Sequence, residues 1–184
     1  NAPFTQNVDQ FTARVDYRFN SNQTFFGRYT FSDDFALDPN PRVPVPGFGD
    51  DVIKNPQSLS LFLTSVMTPT LVLETKFGYS RSNTAILEEL GSRTKFWAKT
   101  LGLSETQAFS STDERIQKFP DLVIAGYDAP RGNNGGFARF HNNWHYSEGV
   151  SWTRGTHAWK FGGEFRREGM KLFFPSNTAG TYTF

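Results

Sequence analysis

The chain has 184 residues, of which 37% are hydrophobic and 20% charged, with mean hydropathy −0.51 and formal net charge +1. No stretch approaches the ~18 consecutive apolar residues of a spanning helix, and no Lys/Arg block offers a nucleic-acid footprint. The absence of cysteine excludes a disulfide scaffold and thiol-ligated metal sites.

These averages leave a membrane barrel open, because barrel strands alternate and their hydropathy averages out. Aromatic residues reach 16%, with 20 Phe. The opening "NAPFTQNVDQ" has neither a basic n-region nor an apolar h-region. An exported protein carrying it is therefore expected to have been processed or to begin elsewhere.

The first predicted element is "FTARVDYRF". Phe11, Ala13, Val15, Tyr17 and Phe19 occupy one face, and Thr12, Arg14, Asp16 and Arg18 the other. That is the two-residue period of a strand, without exception. "TFFGRYTFSDD" follows the turn-forming "NSNQ" and aligns Phe25, Gly27, Tyr29 and Phe31, with Phe26 and Arg28 on the polar side. A third strand, "SLSLFLTSVM", aligns Leu59, Leu61, Leu63 and Met67 before the breaker "TPT". "LVLETKFGYSRS" sets Leu71, Leu73, Phe77 and Tyr79 against Glu74, Lys76 and Ser80. "NWHYSEGVSWT" aligns Trp144, Tyr146, Val150 and Trp152, with Glu148 as an intruder on that face. "AWKFGGEFRRE" sets Trp159, Phe161 and Phe165 against Lys160, Glu164 and Arg166.

Short turns alternate with long connections, the latter expected over about 33–57 and 83–143. This is the rhythm of an outer-membrane barrel with tight periplasmic turns and extended outer loops, whereas compact soluble domains seldom carry structureless loops beyond ~15 residues. Phe19, Phe25, Trp152 and Trp159 flank short turns, where an aromatic girdle would meet the periplasmic boundary. Phe31, Tyr79, Tyr146 and Phe165 lie toward the opposite boundary. The expected fold is all-β: an antiparallel transmembrane β-barrel segment of about six strands, with long extracellular loops and one short loop helix. Six strands are too few to enclose a packed lumen, so residues 1–184 are expected to be part of a larger barrel.

"DQFTARVDYRFNSNQTFFGRYTFSDD", "LETKFGYSRSN", "FPDLVIAGYDAPRG" and above all "VSWTRGTHAWKFGGEFRR" resemble the barrel of TonB-dependent outer-membrane receptors, specifically the Oar-like barrels. The resemblance covers all six strand segments and weakens in both long loops. It implies a barrel of about 22 strands with a plug inside, energised by TonB from the inner membrane. It also implies uptake of a scarce solute of siderophore, glycan or peptide class. The family's plug, its TonB box and its amino-terminal domain have no counterpart in this sequence.

The remaining constellations have plainer readings. His141 and His145 stand four apart, a zinc spacing on a helix, but they fall on a predicted strand, and no metal site or cofactor is expected. Asp33–Asp34 and Asp50–Asp51 bracket a proline-rich stretch without EF-hand spacing and read as solvated loop charges. "RGNNGG" lacks the order of a phosphate loop. "SRTKFWAKTLGL" is the helix candidate, capped by Ser92 or Thr94, stopped by Gly102 and expected to pack on neighbouring loops.

Arg14, Asp16, Arg18, Arg28, Glu74, Lys76, Lys160, Glu164 and Arg166 form the expected lumen-side polar set, held together by ion pairs and water and available to a plug or solute. Phe11, Val15, Phe19, Phe25, Tyr29, Phe31, Phe77, Tyr79, Trp152, Trp159, Phe161 and Phe165 form the expected lipid-facing and girdle set. The partners expected are membrane lipid, a plug, the TonB complex and a small solute. Catalysis is not indicated. The alternatives are a structural or adhesive outer-membrane barrel, a soluble β-sandwich binding module and, remotely, an outer-membrane hydrolase.

Overall fold

The computed structural model describes residues 3–39, 47–88, 96–112, 116, 118–127, 129, 136–175 and 177–184. Its main body is one antiparallel sheet. The strands are β1 (Thr5–Asn20), β2 (Gln23–Asp38), β3 (Asp50–Lys54), β4 (Gln57–Thr68), β5 (Leu71–Glu88), β7 (Phe137–Arg154) and β8 (His157–Phe173). β3 and β4 lie end to end between β2 and β5, and together make one broken stave. The sheet therefore presents six long staves in chain order.

Two-residue turns at Ser21–Asn22, Pro69–Thr70 and Gly155–Thr156 close the hairpins β1–β2, β4–β5 and β7–β8. Gly155 has φ +62°, a conformation that glycine adopts without a Cβ penalty. The longest strands run 16–18 residues, beyond the ~9–11 that cross a bilayer at a tilt. The surplus lies at the end carrying the long connections. β2 continues to Asp38 and β5 to Glu88, while β7 begins at Phe137. The connections are accordingly shorter than the sequence suggests.

Pro56 is the chief departure from expectation. It lies in a stave, between β3 and β4, and not in a loop. Proline has no N–H to donate to a ladder, and the neighbouring groups close the gap. The Ser32 N–H donates to the Pro56 carbonyl at 3.1 Å, and the Asn55 N–H donates to Asn83 Oδ1 at 3.0 Å. The Asn55 amide donates to Asp33 Oδ1 at 2.6 Å and accepts from Asn83 Nδ2 at 3.2 Å. Asp33, Asp34, Asp50 and Asp51 are strand residues, which corrects their reading as loop charges; Asp50 is buried at 6% exposure, whereas Asp33 stays exposed.

The connections form a small cap. Helical turns α1 (Trp97–Thr100) and α2 (Gln107–Ser110) precede β6 (Asp121–Val123), which pairs in parallel with β9 (Thr181–Thr183). That parallel pair and α2 were not foreseen. Leu103, Phe109 and Ile116 pack on Ala98 and Ala179. The Phe119 ring meets Trp97 and Phe48 edge-on at 5.1 and 5.2 Å, tying both connections together. Lys118 Nζ donates to the Pro175 carbonyl at 2.9 Å, and Thr178 Oγ1 to the Ile116 carbonyl. The expected helix shrinks to α1, stopped at Gly102 with φ +69°. Ser92 and Thr94, the expected caps, lie outside the described residues, as do Arg131 to Gly135 of the "RGNNGG" loop.

Candidate functional site: the polar wall and its two boundaries

Directly paired residues share a face of the sheet, so the register builds that face row by row. One row reads Arg14–Arg28–Ser60–Gly78–His145–Arg166, and the next Asp16–Phe26–Phe62–Lys76–Ser147–Glu164. Arg18 and Glu74 lie in the row Arg18–Thr24–Thr64–Glu74–Gly149–Gly162, and Lys160 pairs with Ser151 on the same side. All nine members of the polar set thus share one face. The twelve members of the apolar set share the other, through rows such as Val15–Gly27–Leu61–Phe77–Tyr146–Phe165. Phe19 sits at the register shift before Asn20, its ring 6.3 Å from that of Phe25.

Hollows among the described residues are lined mainly by polar-side residues. One of about 450 Å³ is lined by Glu74, Lys76, Lys160 and Glu164, and one of about 330 Å³ by Asp16, Arg18, Phe26 and Phe62. Few of the wall's charges satisfy one another. Arg14 forks onto Asp16 at 2.6 and 2.9 Å, and His145 meets Glu164 at 3.2 Å. Arg14 also lies over the Phe26 ring at 4.8 Å and Lys76 over the Phe62 ring at 5.1 Å, which accounts for two phenylalanines on a polar face. The side chains of Arg18, Arg28, Glu74, Lys160 and Arg166 make no hydrogen bond or ion pair to another described residue. Direct ion pairs on this wall are thus few among the described residues, and Arg18, Lys160 and Arg166 lie on the edge strands β1 and β8.

His141 and His145 lie on this same face along β7, in separate pairings with Glu168 at 3.9 Å and Glu164 at 3.2 Å. No group of three or more metal-ligating side chains occurs among the described residues.

At the end carrying the cap, the polar-side rows change character. Ala36–Val52–Ile86–Phe137 is apolar, and Asp38–Asp50–Glu88 is acidic. Ala36, Asp50 and Glu88 are 5%, 6% and 4% exposed, whereas Phe35 on the opposite face is 42% exposed. Chain from the connections therefore covers the polar side of that end. Sequence reasoning missed these buried carboxylates because Asp50 and Glu88 belong to separate segments that only the register brings together.

On the apolar face Phe11, Val15, Phe161 and Phe165 are 54–66% exposed, with no second sheet against them among the described residues. Glu148 lies on this face between Trp144 and Trp152. It accepts hydrogen bonds from Thr75 Oγ1 at 2.8 Å and Tyr146 OH at 3.0 Å.

A single wall with a polar, hollowed side and an aromatic-rich exposed side defines a membrane-spanning β-barrel wall. The family model described as "Outer membrane beta barrel domain" matches residues 1–184, and the chain belongs to that family. Its place is the outer membrane. No curated protein and no solved structure matches the chain. A barrel turns such an apolar side to lipid and such a polar side to its lumen.

Proposed function

We propose that this barrel wall belongs to a TonB-dependent receptor that takes up a scarce solute, of siderophore, glycan or peptide class. The observation that carries the reading is the set of inner-wall charges without mutual partners: Arg18, Arg28, Glu74, Lys160 and Arg166. A wall that served only as a scaffold gains by pairing its charges, because each ionised group left alone in a confined space forfeits Coulomb energy. Charges of both signs, left free beside hollows, suit a polar body that docks and moves. A plug is such a body, and the path it vacates suits a hydrated solute. The resemblance of "VSWTRGTHAWKFGGEFRR" to Oar-like barrels supports the same reading.

In this reading the long connections face outward and meet the solute first, and the two-residue turns face the periplasm. The cap over the inner side of the mouth would be the first surface to touch a ligand. No step of the mechanism requires catalysis or a cofactor.

The test is solute uptake by cells expressing the full chain, with and without the inner-membrane proton gradient. Uptake that stops when the gradient is collapsed supports the proposal. A gradient-independent steady conductance of the purified protein in planar bilayers, or no uptake of any solute in the three classes, would favour the structural or adhesive barrel.

A further inference from the structure

Three rows of the apolar face lie between Trp152 and Trp144 on β7, those of Val150, Glu148 and Tyr146. Across the six staves Glu148 is the only charged side chain in those rows. Its own row reads Tyr17–Phe25–Leu63–Thr75–Glu148–Gly163. Trp144 and Trp152 each stand about 13 Å from it along the strand. The carboxylate is therefore at mid-depth between the two aromatic boundaries. It also sits on an inner stave, since β7 is paired on both sides.

The support that the wall gives this carboxylate is neutral. Thr75 Oγ1 and Tyr146 OH both donate to Oε2, at 2.8 and 3.0 Å, and Oε1 accepts from no described residue. Gly163, the register partner on β8, has no side chain with which to donate. The flanking rows bring Leu73, Val150 and Phe161 on one side and Phe77, Tyr146 and Phe165 on the other. Lys76 and Lys160 belong to the polar face, and no described cation pairs with Glu148.

We propose that Glu148 is an intramembrane docking point for a second membrane-embedded protein that carries a lysine or arginine at the same depth. Ionisable groups inside hydrocarbon are costly and are kept where they are paired. Two hydroxyls hold Oε2 in place but supply no opposite charge, which leaves Oε1 to the partner. The attraction between opposite charges is worth most where water is excluded. The rings of Trp144 and Tyr146, both 46% exposed on the same face, offer a cation further favourable surface. A second copy of this chain is the poorer occupant. Copies inserted in the same direction meet at equal depth, which sets carboxylate against carboxylate. The inference holds whichever end of the wall faces outward and whether or not the barrel transports anything.

The experiment reconstitutes the full chain in phosphatidylcholine bilayers with leucine-rich transmembrane helices that differ only in their midpoint residue, lysine, leucine or glutamate. Each helix carries a dansyl acceptor, and association is read by energy transfer from the protein's tryptophans. The lysine helix should associate at least tenfold more tightly than the other two. Glu148→Gln, which keeps an acceptor for Thr75 and Tyr146 and so keeps the fold, should remove that preference. Glu74→Gln, next to Thr75 in the chain but on the polar face, should retain it. Equal association of the three helices, or an undiminished lysine preference in Glu148→Gln, would overturn the proposal. Self-association of the chain that depends on Glu148 and excludes the lysine helix would also overturn it, in favour of a second copy.

Discussion

At the scale of single residues, the two faces impose opposite rules on the same side-chain chemistry. Val15 is on the apolar face and central in its strand, and Thr12 lies on the polar face opposite Thr30, with the two hydroxyls 3.2 Å apart. Val15→Arg is expected to cost about 2–4 kcal/mol in a detergent or lipid unfolding titration, and Thr12→Arg much less. Equal losses would mean that the faces are misassigned. Glu148 obeys the lipid-side rule by borrowing donors from Thr75 and Tyr146. Thr75→Val should therefore cost about 1–2 kcal/mol in the native protein and close to nothing when Glu148 is already Leu. A double-mutant cycle with no coupling would show that the carboxylate is satisfied some other way. The alternation of Phe11 to Phe19 was legible in the sequence because a period of two is a local property. The partner of Glu148 was not, because Thr75 lies 73 positions away and only the β5–β7 register brings it alongside.

At the scale of elements, the broken stave shows what composition conceals. Six strand segments and three short turns could be read from alternation and turn residues. The outward extension of β2, β3 and β5 could not, since Pro56 and its neighbouring prolines imitate a loop. What keeps the stave continuous is Asn55, whose amide reaches both Asp33 and Asn83. Asn55→Ala should destabilise the barrel by about 1–2 kcal/mol, whereas Pro56→Ala should change little, because the proline gives up no ladder bond when it is replaced. An Asn55→Ala titration that overlays the native curve would show that the break is held by packing alone. The inner-wall charges are a mixed case. Their shared face followed from parity, but the scarcity of pairing among them depends on side-chain reach across strands, which no pattern in the sequence reveals.

At the scale of the whole molecule, the proposed orientation can be read with two thiols, because the chain has no cysteine of its own. Tyr127, 78% exposed in the β5–β7 connection, and Asn22, in the first short turn, mark the two ends. On intact cells a membrane-impermeant maleimide should label Tyr127→Cys and spare Asn22→Cys. Labelling of Asn22→Cys alone would invert the topology. The cap belongs to this scale too, since it is assembled from the β2–β3 connection, the β5–β7 connection and the segment after β8. Any motion that parts the β2–β3 connection from the β5–β7 connection has to release the Phe48–Phe119 ring contact.

The alternation of two-residue turns with one very long connection also sets an order of assembly. Partners in the hairpins β1–β2, β4–β5 and β7–β8 meet across tight turns, so each hairpin can zip on the microsecond scale of local pairing. The β5–β7 seam joins strands separated by the whole stretch from Glu88 to Phe137. Closing it costs about 2–3 kcal/mol more chain entropy than a short turn. Its long ladder, from Leu71 paired with Trp152 to Ile86 paired with Phe137, repays that cost only once many rungs have formed. The hairpins are therefore the natural units of insertion, and the seam beneath the cap is the last join to close.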